Sequence, residues 1–225
     1  MPLHVRPATE ADSWRIGCIG KDAFRDTISR VLFPPHLHSK SETGDPELDE
    51  AQWRAARNTR RMRDGKATFV VVDAPEDGGA EENVVGFAQW DPPSPQDAPE
   101  VRVKVSEADQ DPLPATLDEE GLRAIIEILE VQTKKALGPD GHSKVWNLMI
   151  LGVDPTQQRR GIGRMLVQRG LDLAAQAGND AFVISTPEGR GLYHSLGFRQ
   201  VGDAYYMGGI PHYSMLWRRP GLALP

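Results

Sequence analysis

Apolar and polar positions along this chain switch between two periods, and each switch marks an element. Leu3-His4-Val5 alternates and predicts a first strand. Trp14, Ile16, Ile19, Ala23 and Phe24 then recur at helical spacing and are expected to face a core, after Thr9 and Asp12 as candidate caps. An apolar run over 28–33 stops at Pro34-Pro35, and 34–49 is polar and reads as a loop. Residues 51–63 predict a second helix, rich in arginine and ended by Asp64-Gly65. The β-branched content of 68–72 predicts a buried strand, with 84–90 as its partner. Gly86 inside that partner marks a bulge or a close backbone approach. Leu122, Ile125, Ile126, Leu129 and Ala136 make 117–137 an amphipathic helix, with acids at 118–120 and lysines at 134 and 135 in the order its dipole favours. Strands follow at 145–153 and 181–185, and 205–207 with 213–217 reads as a closing hairpin across Gly208-Gly209.

Two segments depart from this rhythm. Residues 75–82 are acidic and Gly-rich and read as a hairpin connection. Residues 91–117 hold six prolines and six acids against two basic residues, so most of this stretch supplies no core. Val101 to Val105 alternates inside it, as a short edge strand or an extended arm. It reads as an insertion, and either a lid over a site or an outward excursion fits.

Composition narrows the class. With 225 residues, 39% hydrophobic and 26% charged, one domain with an insertion is expected over 1–225. No apolar run is long enough to span a bilayer, and the N-terminus lacks a signal-peptide core, so no membrane partner is expected. The lone Cys18 forms no internal disulfide and reads as a small apolar residue, which points to a reducing, cytoplasmic setting. A net charge of −6 argues against nucleic acid. His36 and His38, with Glu42 nearby, lack a visible third metal ligand, so no metal is expected.

The chemistry concentrates in 148–166. An apolar strand breaks at Asp154-Pro155, a turn follows with Gln158, Arg159, Arg160, Gly161 and Gly163, and helical spacing resumes with Ile162, Met165 and Leu166. A strand, a glycine turn and a helix start present unpaired N–H groups at the positive end of a dipole, which suits phosphate oxygens. Arginines at 159, 160 and 164 add positive charge beside that turn. The pattern is not a P-loop, and Leu166 stands where a dinucleotide fingerprint needs its third glycine.

Gln158-Arg159-Arg160-Gly161-Ile162-Gly163, after Leu151-Gly152-Val153-Asp154-Pro155, resembles the coenzyme A pyrophosphate loop of the GNAT acyltransferase superfamily. A second stretch is similar to that family's other motif: Tyr193 stands four residues before Gly197-Phe198, one helix and one strand downstream. The opening, Val5-Arg6-Pro7-Ala8-Thr9, also resembles many members, so the likeness spans about 3–90 and 118–217. Two departures stand out: Thr186 where asparagine is common, and Gly189 where alanine is common.

The resemblance implies a mixed α/β fold, with a mostly antiparallel central sheet flanked by helices and one parallel strand pair that splays apart. It implies acetyl-CoA as cosubstrate, held by Gln158, Arg159, Arg160, Gly161, Ile162, Gly163 and Arg164, by the backbone of Leu151 and Val153, and by Thr186. Tyr193 is implied as the acid that serves the leaving thiolate. The implied reaction is direct attack by an amine of a small molecule or peptide in a ternary complex. Members often carry an acid on the central strand, and Trp146 to Ile150 offers none. The base is therefore open: a water-mediated group, the 34–49 segment with His36, His38 and Glu42, or His142. A non-catalytic acyl-CoA-binding or regulatory module is the alternative, and a nucleotide-binding protein a third. No pattern specifies the acceptor or the oligomeric state.

Overall fold

The computed structural model describes residues 3–73, 82–94 and 112–221. The expected arm at 101–105 and nearly all of the 75–82 connection lie outside them. Strands β1 (Leu3–Pro7), β2 (Ala67–Asp73), β3 (Asn83–Asp91), β4 (Val145–Val153), β5 (Asp180–Ser185), β6 (Arg199–Gln200), β7 (Tyr205–Met207) and β8 (Ile210–Trp217) form the sheet. Its order is β1-β2-β3-β4-β5-β8-β6, with β7 paired to β8. Every pairing is antiparallel except β4 with β5, which is parallel.

Helices α1 (Ser13–Ala23), α2 (Ile28–Leu32), α3 (Pro46–Arg63) and α4 (Glu119–Leu137) precede β4, and α5 (Ile162–Gln176) and α6 (Pro187–Ser195) follow it. The apolar stripe of α5, including Ile162, Leu166 and Val167, packs with Val85, Trp90, Leu148 and Val183 on one sheet face. On the other face, Ile16 and Ile19 of α1 meet Val70, Val72 and Phe87. Beside them, Trp53 of α3 and Ile125 of α4 close over Leu32, Phe33 and Met207. Fully burying such side chains stabilises by roughly 1.5–3 kcal/mol each.

Several boundaries differ from expectation for local reasons. α3 starts at Pro46 rather than 51, because the Asp45 carboxylate accepts from the N–H groups of Glu47 and Leu48 and Pro46 occupies the first helical turn. The rest of the expected 34–49 loop holds a 3-10 turn, Pro35–Lys40. Trp14, expected in the core, is 50% exposed. Cys18 is partly buried, and burial raises its thiol pKa. The two-residue strand β6 had no signal of its own. The end of the insertion is anchored: Asp118 N–H donates to the Leu32 carbonyl at 2.8 Å, and Leu117 is buried beside Trp53. Gly86 meets both expectations: against β2 the register shifts beside it, leaving Val85 as an extra residue, and a Cβ at Gly86 would lie 2.6 Å from Ile162 Cγ2. Among the described residues, no helix is long and apolar enough to cross a membrane.

Candidate active site

Strand β4 is paired with β5 only from Val145–Asp180 to Leu148–Val183. β4 continues to Val153, so among the described residues 149–153 has no strand partner on that edge. The cause is visible on the other edge. Against β3, Gln89 opposes Ile150 while Trp90 opposes Leu148, which leaves Met149 as an extra residue. A bulge of this kind bends and twists its strand, and here it falls where β4 leaves β5. The backbone beyond it keeps polar groups that a ligand can pair.

The widening gap ends at the glycine turn. Asp154 starts it: Oδ1 accepts from Thr156 N–H at 2.9 Å, and Oδ2 takes Arg15 Nη2 of α1 at 2.5 Å. Arg159 then adopts φ 66°, a left-handed conformation that costs a residue with a Cβ about 1–2 kcal/mol. Gly161 follows at φ 82° and caps α5, with nothing within 4 Å of where its Cβ would stand. A Cβ on Gly163 would lie 3.2 Å from Leu192 Cδ2. The start of α5 is therefore open to an anion.

A continuous cleft of ≈ 1630 Å³ runs from this turn through the gap into a chamber between α2, α3 and α4. Of the residues singled out by sequence, Leu151, Val153, Gln158, Arg159, Gly161, Ile162, Gly163, Arg164, Thr186 and Tyr193 line it. Arg160 does not: its guanidinium reaches away to Asp73 at 2.8 Å and to Gln157. Arg164 donates to Ser195 Oγ at 2.7 Å, tying α5 to the end of α6. His36, His38 and Glu42 are not among the cleft residues, and His38 Nε2 lies 3.1 Å from the Phe33 carbonyl oxygen. Among the described residues, no group of three or more His, Cys, Asp or Glu could hold a metal.

Tyr193 is both a core and a cleft residue. Its ring packs edge-on to Phe198, with centroids 5.6 Å apart, and burial raises its phenol pKa, so the hydroxyl holds its proton. Gly189 makes room for the ring, because a Cβ there would lie 3.0 Å from Tyr193 Cε2. His142 also lines the cleft; burial lowers its pKa, and Nε2 accepts from Asn147 Nδ2 at 2.9 Å.

The chamber walls are apolar, with Phe24, Ile28, Val31, Trp53, Ile126 and Leu129, and its polar residues include Asn58, Arg61 and Glu130. Arg61 Nη1 donates to Oε1 of the buried Gln89 at 3.0 Å. Ser94 and Leu113, at the two ends of the insertion, also border the cleft. Sequence reasoning missed His212, which stands on the cleft from β8. The available signal was period-two alternation, which puts His212 on one face with Ser214 and Leu216.

Comparison with known proteins agrees with this geometry. Residues 136–219 match the family described as Acetyltransferase (GNAT) domain. A UPF0039 protein of Schizosaccharomyces pombe is 39% identical over 66 residues, which covers 28% of this chain and 44% of that relative's length. The solved histone acetyltransferase HPA2 and related acetyltransferase of Corynebacterium glutamicum aligns over 100% of this chain and 99% of its own, with TM-score 0.55 and 19% identity. The PaiA N-acetyltransferase of Thermoplasma acidophilum, in complex with coenzyme A, aligns over 97% and 99%, with TM-score 0.53 and 10% identity. YncA of Salmonella typhimurium, solved with its cofactor acetyl-CoA, aligns over 99% and 97%, with TM-score 0.51 and 18% identity. Residues 136–219 thus match a GNAT acetyltransferase domain, and the chain shares the fold of these solved acetyltransferases, a mostly antiparallel sheet with one parallel, splayed pair.

Proposed function

We propose that this single-domain protein is an acetyl-CoA-dependent N-acetyltransferase that acts in the cytoplasm on an amine of a small molecule or peptide. The observation that carries the reading is the open edge of β4 ending on the Gly161–Gly163 turn. The residues present fit the cosubstrate. The turn offers backbone N–H groups, with Gln158, Arg159 and Arg164 beside it for a pyrophosphate. The backbone of Leu151 and Val153 pairs the pantetheine amides as a missing strand would, and Thr186 borders its path.

The chain's own groups divide the work. The apolar chamber orients the acceptor and excludes water, and the β4 backbone near the bulge polarises the thioester carbonyl as charge develops. The amine attacks that carbonyl directly, and Tyr193 Oη gives its proton to the departing sulfur. A non-catalytic acyl-CoA-binding module is the second reading, favoured by the lack of an acid from Trp146 to Ile150.

Calorimetric titration with acetyl-CoA, CoA and ATP tests the site on the wild type and on Gly161→Glu/Gly163→Glu. The expected result is acetyl-CoA binding that the double variant loses. No wild-type binding, or preference for ATP, would sink the reading. Binding without thiol release for any amine would leave the module instead.

A further inference from the structure

We infer that His212 is the general base of the reaction, taking the proton of the acceptor amine from the sheet face opposite Tyr193. The inference rests on the acetyltransferase reading and supplies the group that β4 lacks. Alternation along β8 places Met215 with Tyr193 and Val183, against α5 and α6. Leu216, on the other face, packs with Phe182 and Val145, against α4. His212 shares the Leu216 face. It follows Ser185 in register, because Tyr213 pairs with Ser185, the last residue of β5. His212 therefore stands at the mouth of the gap, on the chamber side, while Tyr193 reaches the gap from below.

Its tautomer is set by chemistry. Nδ1 lies 2.9 Å from the Ile210 carbonyl oxygen, and a carbonyl oxygen only accepts, so Nδ1 carries the proton. Nε2 keeps its lone pair, and His212 lines the cleft. Tyr205 of β7 stacks on the ring at 6.1 Å and fixes its plane. His142 is differently placed, because its Nε2 lone pair already takes the Asn147 amide.

Burial holds His212 below the usual imidazole range, so it is neutral at pH 7 and ready to accept. Glu188 of α6 acts on it through space and Tyr205 of β7 stacks on it, while Glu130 and Lys134 of α4 line the same cleft. Glu188 favours the imidazolium once it forms. In the step, Nε2 takes one proton from the ammonium and releases it to solvent, and the neutral nitrogen bonds to the acetyl carbon. The carbon–sulfur bond breaks, and the thiolate takes the Tyr193 proton. The second proton on the new amide nitrogen returns to the phenolate through solvent, leaving amide and free thiol.

The test uses phenethylamine, an apolar primary amine suited to the chamber, and hydroxylamine, which is already neutral at pH 7. His212→Asn keeps a donor for the Ile210 carbonyl but has no base. It should lower kcat/KM for phenethylamine about 10²–10⁴-fold and move the acidic limb of the pH profile up to the ionisation of the amine itself. Hydroxylamine transfer should fall far less, and acetyl-CoA affinity should hold. Equal losses for both nucleophiles, or an acidic limb left where the wild type has it, would overturn the role. NMR of the wild-type imidazole checks it without any variant, and an Nε2-protonated neutral form would refute it. A wild type that binds acetyl-CoA but releases no thiol with either nucleophile overturns the acetyltransferase reading and this role together. A wild type that transfers acetyl while His212→Asn behaves identically overturns the base alone.

Discussion

At the turn end of the cleft, recognition is offered by backbone: a bulged strand edge, a left-handed Arg159 and a helix start freed by Gly161. At the chamber end it is offered by side chains from α1, α2, α3, α4 and β8, brought from across the chain. The first end is contiguous in sequence and, in the proposed function, would serve a ligand part that never varies. The second is assembled, and it can change with the acceptor while the turn stays fixed. Tyr193 and His212, the reacting groups proposed above, both line the same cleft.

The sharpest way to break this division is at those groups. Tyr193→Phe removes one hydroxyl and leaves the ring against Phe198. Turnover by thiol release should fall about 10²–10⁴-fold while the acetyl-CoA Kd holds. Unchanged turnover would take Tyr193 out of the chemistry.

Within the turn, the arginines should separate. Arg159→Gly removes a cation from the cleft and also relieves φ 66°. Acetyl-CoA affinity should drop about tenfold, roughly 1.4 kcal/mol, while thermal stability rises. Arg160→Ala should leave calorimetric affinity nearly unchanged, because Asp73 holds that side chain outside the cleft. Equal losses at both positions would mean that general positive charge, not placement, attracts the phosphates.

Gly189→Ala restores the residue common in the family and presses on Tyr193 Cε2 and on Ser185 Oγ, 3.2 Å from the new Cβ. The ring has to yield by a few tenths of an ångström, and kcat should fall about fivefold with acetyl-CoA KM unchanged. A rise in kcat would show that the ring is loosely seated.

The smallest effect belongs to the scaffold. Arg6 donates to both Asp12 oxygens at 2.9 Å and holds that carboxyl below its usual range. A depressed carboxylate stabilises above its unfolded pKa, and that contribution disappears as pH falls through the folded value. Arg6→Gln should cost about 1 kcal/mol in urea unfolding at pH 7, and less well below pH 4. A cost independent of pH would assign the loss to packing.

These contrasts also explain what was legible in the sequence. β4 was readable to the residue, and the turn was readable because backbone recognition needs glycines at fixed spacing. The extra residue at Met149 was not, since a bulge exists only against a partner's register. Asp45-Pro46 looked like loop chemistry, yet the same residues cap and start a helix, and only the position of α3 decides between them. Trp14 obeyed helical spacing but fell on the wet side. His212 carries no motif, because its meaning comes from a carbonyl two residues away and a cleft built by distant helices.

The short pairing of β4 with β5 has a mechanical consequence. Among the described residues, four pairs join the two halves of the sheet along this seam, and past Leu148 no strand closes it. A pantetheine lying there would be a ninth strand as much as a substrate. Occupancy would then slow hydrogen exchange along 149–153 and lend about 2.7 kcal/mol at a hundredfold excess over Kd. A cell's supply of acetyl-CoA would set this protein's lifetime as well as its rate.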